Sequence, residues 1–364
     1  MSQLQHYLAL VAGGLALAAL GLSLFTPLES GLLLKAFLAL GALSLIRFYI
    51  PIGLWADGAF AVLGGVAILT SIGIFTPTPP FFWMALIVAW LFSWLFVERL
   101  SHALAPRLAD TAGLGLLIPV AFGLTILVVW EVVTRQANVP QVILPAPSMI
   151  GARFMASLPT LWADFQQTFL KAVLIGYALG CGLGFGVAIL IDRSPFLKSG
   201  LLPLGNFVSA LPIVGVAPIM VMWFGFDWPS KAAVVVIMTF FPMLVNTVAG
   251  LNASTAIDRD LMRTYAAGYW QTLMKLRLPA AGPFIFNALK INSTLALIGA
   301  IVAEFFGTPI VGMGFRISTE VGRMNVDMVW AEIAVAAIAG SVFYGVVVLI
   351  ERGVTFWHPS VRGA

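Results

Sequence analysis

Residues 232–251 read AAVVVIMTFFPMLVNTVAGL, twenty positions without a charged side chain. At about 1.5 Å of rise per residue, a helix of that length reaches ~30 Å, the hydrocarbon thickness of a bilayer. A helix on the surface of a soluble protein keeps a polar face toward water, and this stretch has none. The whole chain shares its character: 61% of the 364 residues are hydrophobic and 9% are charged, against about 25% charged in soluble domains. With a mean hydropathy of +1.03, the chain has too few charges to cover a water-facing surface, and lipid is its solvent.

Working outward, comparable apolar runs occupy 7–25, 32–50, 55–75, 81–96, 114–133, 169–191, 204–224, 284–303 and 333–350, so about ten spans are expected. Barrel-type alternation is missing, which leaves a bundle of helices as the way to satisfy backbone groups in lipid. The expected fold class is therefore all-α, a polytopic transmembrane helical bundle. The polar segment 98–110 divides a four-helix front part, 1–110, from a six-helix part, 111–364. Residues 1–6 lack Lys and Arg, and the run after them is too long for a signal-peptide core, so it is expected to persist as the first helix.

The basic residues predict an orientation. With a cytoplasmic N-terminus, Arg47, Arg99, Arg107, Arg193, Lys198, Arg259, Arg263, Lys275, Arg277, Arg352 and Arg362 fall inside, and Arg135, Arg153, Lys231, Arg316 and Arg323 outside. That excess puts both termini in the cytoplasm. Between the fifth and sixth runs, Ile150, Phe154, Leu158, Leu161 and Trp162 recur at helical spacing, which predicts an amphipathic helix on the outer membrane surface.

Immediately after the opening stretch, 252–281 is too polar to span, yet Leu261, Tyr265, Leu273 and Leu276 keep helical spacing. Two short cytoplasmic helices with a break near Ala267-Gly268 fit it. Small residues at a corner permit close backbone approach, so such a loop can enter a partner's cleft and pass force to the membrane helices. An ordinary solvated connector fits the same composition.

The loop and its surroundings resemble the permeases of binding-protein-dependent ABC importers, specifically the nitrate/sulfonate/taurine type. Their loop carries Glu-Ala-Ala, three residues, Gly, nine residues, Ile, one residue, Leu-Pro. Aligned on Leu278-Pro279, Leu276 takes the Ile position, Ala266 the Gly, and Asp260-Leu261-Met262 the Glu-Ala-Ala. The acid is kept, both alanines are replaced, and Gly268 competes with Ala266 for the corner. Leu144-Pro145-Ala146-Pro147-Ser148, residues 211–218 before Trp223-Phe224-Gly225, Phe241-Pro242 with Asn246-Thr247 and Gly250, and residues 295–305 are similar to further family segments in the same order. The resemblance runs from about Leu114 to the C-terminus and leaves the front four helices outside it.

What the resemblance implies is a type I ABC importer permease core of six helices with about four extra N-terminal helices, in the bacterial inner membrane. It implies a second permease copy, two cytoplasmic ATPase subunits, and a periplasmic or lipid-anchored binding protein that delivers a small nutrient. Nitrate-, sulfonate- or taurine-like anions and pyrimidine-type vitamin precursors are the substrate classes. Asp260, Leu261, Met262, Thr264, Tyr265, Ala266, Ala267 and Gly268 would form the ATPase contact. ATP and magnesium would sit on the partner, since this chain has no Gly-x-x-x-x-Gly-Lys-Ser/Thr phosphate loop.

Other residues are candidates for a translocation path. Asn292, Ser293 and Thr294 lie in the run 284–303, with Lys290 before them and Glu304 at its end, while Ser209, Met220 and Asn246 lie in neighbouring runs. Polar groups at such depth serve a path or hold helices together, and Lys290 can also snorkel to an interface. Gly180 with Gly184, and Gly182 with Gly186, read as close-packing pairs. Cys181 is the single cysteine, which excludes an intrachain disulfide, and His6, His102 and His358 have no metal-ligand spacing. The net charge of +4 is scattered, so nucleic acid is not an expected partner. No nucleophile–base constellation points to an enzyme. An ion-coupled secondary transporter is the alternative, but it would place carboxylates deep in its spans.

Overall fold

The apolar runs fold as helices because lipid offers no partner to a free N–H or C=O, and a helix pairs its own. The computed structural model describes residues 2–27, 31–49, 52–105, 114–194, 196–197, 199–201, 203, 212–307 and 310–357. Among them, seven helical stretches are long and apolar enough to cross a bilayer: Gln3–Ser23, Pro80–Leu104, Leu117–Gln136, Leu158–Arg193, Trp228–Leu251, Tyr269–Glu304 and Val326–Val354. Leu54–Thr70 and Ile213–Phe224 are apolar but shorter. The run 32–50 forms the helix Leu32–Leu43 followed by a 3-10 segment, Ser44–Phe48. Among the described residues each expected run contains a helix, three of these helices fall short of spanning length, and residues 204–211 of the run 204–224 lie outside the described residues. Ile213–Phe224 is bounded by Pro212 on one side and by Gly225, at φ 81°, on the other.

Contacts divide the chain into two compact units, Met1–Gly151 and Ala152–Ala364. The first holds α1 (Gln3–Ser23), α2 (Leu32–Leu43), α3 (Leu54–Thr70), α4 (Pro80–Leu104) and α5 (Leu117–Gln136). Ala9, Ala12, Ala16 and Ala19 form a buried small-residue stripe on α1, which packs on α2 and α4. Phe37, Phe81, Phe82 and Phe92 fill the centre. The expected boundary at 110 falls before α5, but α5 packs on α3 and α4 within this unit. Gln136 ties its end down by accepting from the Gly73 amide at 3.0 Å and donating to the Phe75 carbonyl at 2.7 Å. One ion-pair cluster is buried here: Asp57 accepts from Arg47 at 3.0 Å and also from Arg99.

The helix α6 (Pro147–Ala156) precedes α7 (Leu158–Phe165), which runs through a π-helical segment, Gln166–Val173, into α8 (Leu174–Arg193). The expected amphipathic stretch 150–162 is therefore broken at Ser157, and its second half opens a long continuous helix. The second unit continues with α9 (Ile213–Phe224), α10 (Trp228–Leu251), α11 (Ala256–Thr264), α12 (Tyr269–Thr272), α13 (Leu278–Glu304), α14 (Met313–Gly322) and α15 (Val326–Val354). Its centre is α10, clasped between α8 and α13. Gly176, Gly180 and Gly184 stand four residues apart against α10. A Cβ on Gly176 would lie 2.6 Å from the Val235 Cβ, and one on Gly184 2.5 Å from the Phe240 carbonyl. Gly182 and Gly186 meet no described atom within 4 Å. Of the two expected glycine pairs, one packs and the other faces away.

Candidate functional site

The 252–281 loop folds as two helices with a tight corner, as its spacing predicts. Thr255 caps α11: its hydroxyl accepts from the Asp258 amide at 3.2 Å and donates to the Asp258 carboxylate at 2.6 Å. At the other end the Ala266 amide donates to the Arg263 carbonyl at 2.9 Å and the Ala267 amide to the Met262 carbonyl at 3.0 Å. These paired bonds form a Schellman turn, whose left-handed residue is usually glycine. Here it is Ala266, at φ 53°. Gly268 has φ −69° and caps α12 in an extended conformation that any residue adopts. The corner therefore lies at Ala266, where the family pattern has glycine, and the competing register through Gly268 is resolved.

The expected apolar stripe divides at this corner. Ile257, Leu261 and Tyr265, four residues apart on α11, are 81%, 54% and 76% exposed. Asp260 is exposed beside them and pairs with Arg263 at 3.0 Å, and the Thr264 hydroxyl bonds back to the Leu261 carbonyl. Met262 and Ala267 are half-buried. Leu273, by contrast, is fully buried against Leu251 and Ala281. One part of the stripe anchors the loop, and the other is an unpartnered apolar face on a polar segment.

The anchor itself escaped the sequence reading. Arg277 holds Asp192 at the end of α8 with two bonds of 2.6 Å, and its Nε donates to the Leu251 carbonyl at 2.9 Å. The Tyr269 hydroxyl donates to the same carboxylate at 2.9 Å. The Arg193 guanidinium lies 4.8 Å from the Tyr269 ring centre and 5.3 Å from that of Trp270, a cation–π clamp. A bidentate arginine–carboxylate pair fixes direction as well as distance, so α8, α10 and the loop are tied together at this end. Asp192 and Arg277 are 85 positions apart, and no spacing rule links them.

The proposed path residues are not brought together. Asn292, fully buried, donates to the Thr239 carbonyl at 2.7 Å and contacts the Cys181 sulfur at 3.2 Å. Ser293, beside it, bonds to the Lys290 carbonyl, and Lys290 pairs with Glu351 at 2.9 Å. Asn246 bonds to the Pro242 carbonyl and meets the Asn287 amide at 3.5 Å on a more open surface, while the Thr294 hydroxyl bonds within its own helix. Met220 is buried against Ala217, Val234 and Ala303. Ser209 lies outside the described residues.

Glu304 belongs to a latch at the far end of α13. Its carboxylate accepts from the Thr168 hydroxyl at 2.8 Å and the Gly314 amide at 2.7 Å. Asp164 accepts from the Gly312 amide at 2.6 Å and from Arg316 at 2.8 Å. A Cβ on Gly312, at φ 143°, would stand 2.7 Å from Glu304 Oε1. Nearby, Asp227 caps α10, and the Trp228 amide that donates to it holds its carboxyl below the ordinary range. Among the described residues, no group of three His, Cys, Asp or Glu side chains could hold a metal ion.

The described residues make a multi-pass helical membrane protein, and comparison with known proteins gives its family. The profile of the family described as binding-protein-dependent transport system inner membrane component matches residues 176–356. A riboflavin transport system permease protein of Chloroflexus aurantiacus is 31% identical over 240 residues, 65% of this chain and 88% of the relative. A formylaminopyrimidine transport permease protein of Halalkalibacterium halodurans is 30% identical over 66% of this chain and 96% of its own length. A taurine transport system permease protein of Escherichia coli is 25% identical over 65% and 88%. The chain belongs to the family of binding-protein-dependent transport system inner membrane components. It is an ABC transporter permease, a transport subunit rather than an enzyme.

Proposed function

We propose that this chain forms the translocation path of an ABC importer and that α11 with its Ala266 corner is the docking element for a cytoplasmic ATPase subunit. The observation that carries the reading is the exposed row Ile257, Leu261 and Tyr265. It projects from a polar loop whose base is held by Asp192 and Arg277. A solvated connector gains nothing from exposing three large apolar side chains in a row. A docking helix gains their burial, at about 25 cal/mol per Å², and its rigid mount passes the partner's movement to α8, α10 and α13.

On this reading two permease copies carry two ATPase subunits, which hold the ATP and magnesium. Both termini and the 252–281 loop face the cytoplasm, in keeping with the distribution of basic residues. A periplasmic or lipid-anchored binding protein delivers a small nutrient on the other side. The relatives' names favour a small anion of the taurine or sulfonate kind or a heteroaromatic vitamin precursor. Asn246 and Asn287, on the more open surface between α10 and α13, are the polar pair best suited to line the path.

The test is recovery of the tagged chain from mildly solubilised native membranes, with mass spectrometry and an ATPase assay. A stoichiometric ATPase partner, lost together with transport in Tyr265→Asp and Ala266→Asp variants, supports the proposal. Recovery of the chain with no ATPase, or variants that keep full coupling, would overturn it.

A further inference from the structure

At the far end of α13 the helices bury more carboxylates than cations. Asp164 on α7, Glu304 at the end of α13 and Glu332 on α15 are each at most 2% exposed. The cations that face them are Arg316 on α14 and Lys231 on α10. Lys231 is buried and donates to the Phe226 carbonyl at 2.5 Å. The other charges around the cluster cancel in pairs. Glu320 takes Arg323 at 3.0 Å, Asp327 takes Arg153 at 3.5 Å, and Asp227 is joined to Lys171 through Gln167. One negative charge is left over among packed helices.

Two of the three carboxylates have their donors. Glu304 takes the Thr168 hydroxyl and the Gly314 amide, and Asp164 takes the Gly312 amide and Arg316. Glu332 is different: it is fully buried, and no described donor reaches either of its oxygens. The side chain within hydrogen-bonding reach of it is Asp164, so an acceptor faces an acceptor. Buried polar groups almost always have a partner, and two carboxylates in contact away from water cannot both carry charge. A single proton meets both demands. A protonated carboxyl has an O–H to donate, and the leftover charge disappears. Among the described residues, no group of three acidic, His or Cys side chains is arranged to hold a metal ion in its place.

We infer that Glu332 and Asp164 form a proton-binding site, in which Glu332 carries the proton and donates it in a hydrogen bond to ionised Asp164. Asp164 is the charged member because it already accepts from the Gly312 amide and the Arg316 guanidinium, donors that favour charge. The proton completes the latch, since it ties α15 to the carboxylate on α7 that also holds the 312–316 turn. Its loss sets two anions face to face between packed helices and loosens that end of the core. The inference does not depend on the ATPase or substrate assignments above.

Infrared difference spectroscopy of the purified full-length protein at neutral pH, unaltered minus Glu332→Gln, tests it. The difference should contain the carbonyl stretch of a protonated carboxyl and no carboxylate band. Glutamine keeps the shape and offers an N–H in place of the O–H, so Glu332→Gln should keep the melting temperature. Glu332→Ala should lower it by several degrees. Raising the pH should lower the melting temperature of the unaltered protein more than that of Glu332→Gln, which has no proton there to lose. A carboxylate band in the difference, equal pH slopes, or a Glu332→Gln protein as unstable as Glu332→Ala would overturn the inference, because Glu332 would then be an ionised partner of Arg316. So would an unaltered protein with no protonated-carboxyl band at neutral pH, a result that needs no variant to fold.

Discussion

The two ends of α13 are held by the same device, a carboxylate that gathers donors from distant segments, yet the ends are built for different tasks. At the loop end, Asp192 takes Arg277 and Tyr269, and beyond this mount the chain turns outward to expose Ile257, Leu261 and Tyr265. At the far end, Glu304 and Asp164 take Thr168, Arg316 and the amides of Gly312 and Gly314. These bonds close that end on itself. The corners make the same contrast. Ala266 holds a left-handed conformation in the open, where a methyl group meets nothing that forbids it. Gly312 and Gly314 stand where a side chain would strike Glu304 and the Ile301 carbonyl. A left-handed corner can tolerate alanine at a cost, but a crowded one cannot.

The largest expected effect breaks the comparison at the loop end. Asp192→Ala strands Arg277, which is 14% exposed, and removing one partner of a buried pair costs about 3 kcal/mol or more. The melting temperature of the purified complex should fall by several degrees, and transport should fail with it. Unchanged melting would mean that the mount is decorative.

Gly314→Ala attacks the other end. Its Cβ would collide with the Ile301 backbone, which cannot swing aside as a side chain can, so about 1–3 kcal/mol of overpacking is expected. ATPase recovery should persist in the surviving fraction, because the loop is untouched.

A smaller effect, of opposite sign, sharpens the contrast of the corners. Ala266→Gly should stabilise by about 1 kcal/mol, since glycine adopts φ 53° without strain. Gly268→Ala, at an ordinary φ, should change little. The reverse pattern in thermal unfolding would return the corner to Gly268.

The smallest effect on stability is expected for Tyr265→Ser. The side chain is exposed and supports nothing described around it, so the change should stay within about 0.5 kcal/mol. The same variant should weaken ATPase recovery strongly. A loss of stability without a loss of recovery would sink the docking role.

Much of this molecule was legible in its residues. Local rules suffice to see that 232–251 is a membrane helix and that 252–281 is not, because hydropathy and length are properties of a single segment. Spacing alone gave two short helices with a break near Ala267-Gly268, and Asp260, Ala266 and Leu278-Pro279 were placed by the resemblance to the family's loop pattern. The stripe was also visible, but periodicity could not say that Leu273 would be buried while Leu261 and Tyr265 stay exposed. A heptad-like pattern records which residues share a face, not what lies opposite. The glycine pairs on α8 were equally ambiguous, since both satisfy the same spacing and only one meets α10.

The sequence by itself determined the solvent, the helical class, the family and the loop, since each depends on composition or on short-range order along the chain. Tertiary structure alone decided the anchors: Asp192 with Arg277, Glu304 with Thr168 and Gly314, and Asp57 with two arginines. A buried charge must find its partner in space. The partner's distance along the chain, 85 positions for Arg277 and 136 for Thr168, is free to take any value the packing of helices allows.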